Sequence, residues 1–247
     1  MRRTLTLAAA GAAMLALPTA ASAQSATTFT ANLSQANDSG ASGSATVTLD
    51  GTTATVRISG SGFFDGFPHA MHIHGEPGGD AVCGNLNLSE GSELDADGDG
   101  VISVTEAAGG YGPIAVSLTT EGDTSPDSGL AVDRFPTSGS LDYERTFELP
   151  ADVAEDLSDF HIVVHALDLD DSGEIGDSGI ESDLDPSLDM EATAPAACGQ
   201  LVASAAGGVD TGAGGTATNG AGGAAAAALF GAAALGAVAI RRRRVEA

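Results

Sequence analysis

Five histidines are the residues of this chain best suited to hold a metal ion, and they lie in two short segments: His69, His72 and His74, then His161 and His165. Because side chains alternate across a β-strand, His72 and His74 share one face while His69 lies on the other. By the same alternation His165 shares a face with His161. Imidazoles at positions i and i+2 can converge on one ion, which is typical of a metal site. Histidines on half-exposed strands would give the same spacing, so both interpretations stay open.

A calcium-binding motif is the second candidate site. Residues 95–106 match the EF-hand loop, with aspartate at positions 1, 3 and 5, glycine at 6, an apolar residue at 8 and glutamate at 12. This set offers the six to eight hard oxygens that Ca²⁺ needs. The alternative is an acidic turn in an already acidic protein. We expect short flanking helices and a structural site, with ligands from Asp95, Asp97, Asp99, Val101, Ser103 and Glu106.

A second acidic segment begins in the same way but is incomplete. Aspartates stand at its first and third positions and serine at its fifth, but Gly179 occupies the twelfth position, where glutamate would complete the loop. The expected ligands of a second calcium site are Asp168, Asp170, Ser172 and Asp177, with Glu181 as the alternative to Asp177.

The elements that position these residues are predicted to be strands. Alternating and β-branched runs predict eight of them, near 27–33, 45–49, 54–59, 69–74, 114–119, 141–149, 160–167 and 200–203. One short helix is predicted at 151–157, and segments 75–112 and 168–197 show no strand pattern. Eight strands with few helices favour an all-β fold, a Greek-key sandwich or barrel with two long acidic loops.

Three segments resemble copper/zinc superoxide dismutases. The run from His69 to His74, followed by Cys83 nine residues on, is similar to their copper-site strand. The sequence ending in His165 before an acidic loop is similar to their later copper-ligand strand, and Ala-Cys198-Gly to the second half of their disulfide. Residues 29–74 also resemble the secreted CHRD module.

The resemblance implies specific roles for these residues. It implies the Greek-key sandwich, copper ligation by His72, His74 and His165, a supporting role for His69, and a Cys83–Cys198 disulfide that accords with export. It also implies superoxide as the substrate. The alternatives are a non-enzymatic domain that binds copper or calcium, and a CHRD-like interaction domain.

The sequence departs from that family at the zinc site. No histidine occurs between His74 and His161, so the family's bridging histidine and zinc ligands are missing and no zinc is expected. The family's active-site arginine falls on Pro195. Segment 168–191 has ten acids and no base, so a loop framing the site would slow the approach of an anion. We therefore hypothesise that calcium in 95–106 orders the loop that zinc orders in the family.

The composition excludes other classes of protein. With 34 acidic and nine basic residues the chain carries a net charge of −25, which excludes nucleic acid as a partner. Two cysteines cannot by themselves make a thiolate zinc site or a disulfide-dense scaffold.

Both ends of the chain have the composition of targeting segments. Residues 1–23 are predicted to be a signal peptide and 24–204 the folded domain. Residues 205–223 are predicted to be a Gly/Ala/Thr-rich linker, 224–240 a hydrophobic membrane or sorting segment, and 241–247 a basic cytoplasmic tail. We therefore expect an exported protein, held at the cell surface or membrane, whose partners are metal ions, superoxide and, through its C-terminal segment, the membrane.

Overall fold

The computed structural model describes residues 26–79 and 82–204 of the 247-residue chain. The predicted signal peptide, linker, hydrophobic segment and basic tail lie outside these residues. Within the described ranges, the helices are all too short or too polar to cross a membrane.

An antiparallel sheet is the framework of the described part of the chain. Its strands are β1 Thr27–Gln35, β2 Ser42–Asp50, β3 Thr53–Ser61, β4 Met71–Gly75, β5 Ile114–Ser117, β6 Ser140–Glu148, β7 Phe160–His165, β8 Pro195–Gln200 and β9 Val202–Ala203. Eight strands follow the order β5-β4-β7-β8-β1-β2-β3-β6, and β9 pairs with β1. The sheet curls, and the predicted all-β class is confirmed.

The α-helices of the described residues are few and short: α1 Val104–Tyr111, α2 Ala151–Glu155 and α3 Met190–Thr193. Helix α2 was predicted from its own segment, α1 was expected only as a short helix flanking the 95–106 loop, and α3 was not predicted. The prediction that 168–197 contains no strand is wrong at its end, because β8 begins at Pro195 and pairs with both β1 and β7. Its small residues carry no β-branched signal, so pairing on two sides rather than intrinsic propensity makes this segment a strand.

The inner face of the curled sheet forms the main core. The alternation predicted for β2 and β3 is confirmed, since Val47 and Val56 are fully buried there with Ile162. At the open edges of the sheet, Tyr143 and Arg145 on β6 donate hydrogen bonds of 3.1 and 2.7 Å to the carbonyl of Thr119, two residues beyond β5. Side chains therefore join the two edge strands.

A second, smaller core lies on the opposite face of β7 and fixes the first acidic loop. Ile102, Ala107 and Tyr111 pack there with Val163 and Cys198. The disulfide to Cys83, with a Cα–Cα distance of 5.9 Å, confirms the cysteine pairing implied by the sequence resemblance. The described residues 82–113 are thus packed against, and covalently tied to, the histidine-bearing face of the sheet.

Candidate metal centre

Three histidines from two neighbouring strands meet on one face of the sheet. In the antiparallel pairing of β4 with β7, His72 lies opposite Val163 and His74 opposite His161. The alternation predicted from the sequence therefore brings His72, His74 and His165 together, and one ring nitrogen of each lies within 4.8 Å of the others. Their ring centroids are 5.0 to 5.8 Å apart. All three side chains are buried.

Backbone carbonyls determine which nitrogen of each ring is available. His74 Nδ1 lies 2.9 Å from the carbonyl oxygen of Gly112, and His165 Nδ1 lies 2.8 Å from that of Thr193. His72 is turned the other way, with Nε2 3.0 Å from the carbonyl oxygen of Gly129. A carbonyl oxygen only accepts hydrogen bonds, so each of these nitrogens carries the hydrogen.

The other nitrogen of each ring is buried without a hydrogen-bond partner: Nδ1 of His72 and Nε2 of His74 and His165. In the neutral tautomer each of these atoms carries a lone pair. Three buried lone pairs that converge without a donor are the arrangement a metal ion requires, and orientation of a ligand imidazole by a backbone carbonyl is typical of metal sites. The site therefore fits a metal.

The same environment keeps the three rings uncharged. Burial, together with the neighbouring His165, lowers the pKa of His74 to about 3, and burial lowers the pKa of His165 to about 4. Burial and the two neighbouring rings hold the pKa of His72 well below its usual value. At neutral pH no proton competes with a metal for these nitrogens.

Helix α1 supplies the carbonyl that orients His74. Ser103 caps this helix by accepting from the backbone N–H of Glu106, while the Glu106 side chain accepts from the N–H of Ser103. At the other end Gly112 has a φ of 76°, and an added Cβ would lie 3.0 Å from the Cα of Gly75. Glycine is needed there because its backbone must approach β4 closely to reach His74.

The loop that orients His72 is held by hydrogen bonds to two charged side chains. Asp123 accepts from the Ser128 hydroxyl at 2.7 Å, and Arg134 donates to the same hydroxyl at 2.8 Å. Arg134 also donates to the carbonyl of Asp123 at 3.2 Å. Gly129, whose carbonyl faces His72, directly follows this network.

Two other histidines lie close to the triad but outside it. His69 bridges the carbonyl oxygens of Phe64 and His165, at 2.7 and 3.0 Å, and so ties the segment before β4 to the end of β7. His161 is buried opposite His74 and contributes to the lowering of its pKa.

Tyr111 is a neighbour of the site that sequence reasoning missed. Its ring is 4.8 Å from that of His74, and its buried hydroxyl has no hydrogen-bond partner. Burial raises its pKa above the usual value. No sequence pattern indicated this contact, because the packing of Tyr111 at the end of α1 against His74 depends on the tertiary fold.

A pocket of about 340 Å³ opens onto the three histidines. Its walls are chiefly apolar, and among the described residues that line it Asp127 is the one charged side chain. Leu130 and Leu184 on its rim are each about half exposed.

The first acidic loop gathers three of its predicted ligands. Carboxylate oxygens of Asp95, Asp97 and Glu106 lie within 4.8 Å of one another. Asp99 is outside this group and accepts from the N–H of Val101, and desolvation followed by the nearby carboxylates raises its pKa. The Ser103 hydroxyl caps α1 and donates to Asp183 of the second acidic loop at 2.6 Å, which links the two loops.

The second acidic loop brings together a different set from the one predicted. Asp168 and Asp170 meet Glu191 of α3, while Ser172 donates to Asp177 at 3.0 Å. Glu191 is fully buried and accepts from backbone N–H groups. Sequence reasoning missed it because it lies 23 positions after Asp168 and on another element. The one available signal was the position of Glu191 itself, an acidic residue in the first turn of α3 at the end of the acidic segment.

Compared with known protein-family models and with curated proteins, the chain matches none of them.

Proposed function

We propose that the protein is an exported copper-binding protein with a superoxide dismutase-like domain, in which His72, His74 and His165 hold one copper ion. Two observations on the same three buried rings carry this proposal: one ring nitrogen of each lies within 4.8 Å of the others, and each ring has one nitrogen without a hydrogen-bond partner. Imidazole nitrogen is a good ligand for copper in both common oxidation states. The disulfide supports export, because such bonds persist in oxidising compartments.

The strand order supports the dismutase-like assignment. After β5 and β6, the chain returns so that β7 lies beside β4. A Greek key likewise brings its fourth strand back beside the first, which supports the proposal, although within the described residues β6 pairs with β3 and not with β5. The two ligand strands are thereby adjacent although they are about 90 residues apart in the sequence.

A bound copper ion would supply one-electron redox chemistry, the kind that superoxide dismutation uses. The residues of this chain bind and orient the ion through the three lone pairs, and the Gly112, Gly129 and Thr193 carbonyls keep the rings in the binding tautomer. The pocket restricts access to one side. Superoxide dismutation is the reaction that the family resemblance implies.

Storage of copper without turnover is the second candidate function. Two observations favour it: none of the described arginines lines the pocket, and its one charged lining residue is acidic. Superoxide is an anion, so this electrostatic environment slows its approach rather than steering it.

We include calcium at residues 95–106 in the proposal. The clustered carboxylates of Asp95, Asp97 and Glu106, and the packing of Ile102 in the small core, support a calcium loop. A cation there would stabilise α1 and so the carbonyl that orients His74. Asp168, Asp170 and Glu191 form the candidate second calcium site.

Copper titration of the purified protein tests the proposal. We expect one tightly held copper ion per chain, lost in His72→Gln and in His165→Gln but retained in His161→Gln, the same substitution on the same face outside the triad. Equal copper affinity in all four proteins would contradict the proposal. Superoxide turnover of the loaded protein, measured by pulse radiolysis, then separates the enzyme from the storage protein.

A further inference from the structure

The walls of the pocket over the triad offer little to a charged molecule. Val104, Ile114, Leu130 and Leu184 make up much of the lining, and the leucines form part of the rim. An ion that enters an apolar cavity loses its water without gaining replacement hydrogen bonds, which is costly. An uncharged molecule of a few atoms pays little for the same transfer.

Positive charge is held away from this pocket. Arg57 pairs with Glu144 on the exposed face of the sheet. Arg145 donates to Thr119, and Arg134 holds the loop before Gly129. The sequence contains no lysine, so within the described residues no cationic side chain is left to line the pocket.

Negative charge, by contrast, lies on the rim. Asp127 lines the pocket, and segment 168–191, which contributes Leu184, carries ten acids and no base. The imidazoles are themselves uncharged near neutral pH. A bound copper ion adds one or two positive charges of its own. The effect of the pocket walls on ligand affinity is therefore measured by comparing variants that hold copper in the same oxidation state.

We infer that this pocket selects small uncharged molecules over anions as ligands of the three-histidine site, with the apolar wall at Leu184 and the carboxylate of Asp127 as the determinants. The inference rests on the proposed copper site, but it concerns what reaches the metal rather than whether the metal binds. The ligand class that follows is a small neutral molecule, and superoxide, which is an anion, falls outside it, so this inference favours the storage function over dismutation.

Ligand titrations of the full-length, copper-loaded protein test this selection. The wild type is compared with Leu184→Lys, which places an ammonium group on the pocket wall. The matched control is Val202→Lys, which makes the same change of net charge at an exposed residue of β9 outside the pocket. Azide is titrated into the Cu(II) form and followed by its charge-transfer absorption. Carbon monoxide is titrated into the Cu(I) form and followed by infrared absorption.

We expect Leu184→Lys to bind azide about threefold more tightly than the wild type, or more. A lysine ammonium and an azide anion about 6 Å apart attract each other by that factor even at the dielectric constant of water. The gain should shrink as salt is added. Val202→Lys should bind azide like the wild type, and carbon monoxide should bind all three proteins equally.

Two results would overturn the inference: azide affinity unchanged in Leu184→Lys, or a wild-type Cu(I) form that does not bind carbon monoxide. The copper content, measured before any ligand is added, separates these failures from failure of the proposed function. A wild type that takes up no copper would overturn the copper site and, with it, the inference.

Discussion

Acidification should destabilise the metal-free protein through the buried imidazoles. The pKa is about 3 for His74 and about 4 for His165 in the folded protein, against 6.5 in the unfolded chain. The unfolded chain therefore binds more protons below pH 6.5, so the stability contribution of these rings is complete above that pH and is lost as the pH falls. Below pH 6.5 and above its folded pKa, each ring lowers the unfolding free energy by about 1.4 kcal/mol for every pH unit of acidification. At pH 5, which is about 1.5 units below 6.5, the two rings together have lowered it by roughly 4 kcal/mol.

Urea unfolding of chelator-treated protein at pH 7.5 and pH 5.0 measures this loss. The window avoids most carboxylate titration, because the ordinary pKa values of Asp and Glu lie near 4. The matched control is the double variant His74→Gln and His165→Gln, which should lose much less unfolding free energy over the same interval. Equal losses in the wild type and the double variant would refute the assignment of buried, neutral imidazoles.

Three further predictions test the elements around the site. Replacing both cysteines by serine should lower the unfolding free energy by about 4–5 kcal/mol, the chain-entropy value for so long a loop, and equal stability in denaturant would contradict this. Calcium at 100 times its Kd should raise the unfolding free energy of the wild type by about 2.7 kcal/mol, measured by thermal unfolding. Glu106→Gln, whose side chain can still accept the capping hydrogen bond of α1, should lose this stabilisation, and the control Glu90→Gln should retain it. Arg134→Gln should weaken copper binding about tenfold in a competition titration, because it loosens the loop whose Gly129 carbonyl orients His72. Arg57→Gln, on the exposed face of the sheet, should leave the copper affinity unchanged. Equal copper affinities of the two variants would rule out the positioning role of Arg134.

Much of the triad could be predicted from the sequence because it depends on strand periodicity. The spacing of His72 and His74 fixes their shared face, and the β-branched runs around His165 mark its strand. The adjacency of β4 and β7 came from a family resemblance, not from local pattern. The sequence could not show which ring nitrogen faces inward, because that depends on backbone carbonyls.

The parts that escaped prediction depend on tertiary packing. A short helix flanking the 95–106 loop was expected, but the extent and packing of α1 were not; it contains two glycines and has weak helix propensity, so its capping box and the burial of Ala107 and Tyr111 must stabilise it. Strand β8 is built of small residues that pair on both sides. Glu191 joins Asp168 only because the second acidic loop folds back on itself. In each case the deciding contact lies far away in the sequence.

Pulsed electron paramagnetic resonance of the Cu(II)-loaded protein, with ¹⁵N-labelled histidine, tests the central assignment most directly. We predict one copper ion per chain with hyperfine coupling to three imidazole nitrogens, and loss of this signal in His72→Gln, which no longer holds the ion tightly. Copper that shows oxygen ligands only, with a spectrum unchanged in His72→Gln, would place the ion on the acidic loops and contradict the three-histidine site.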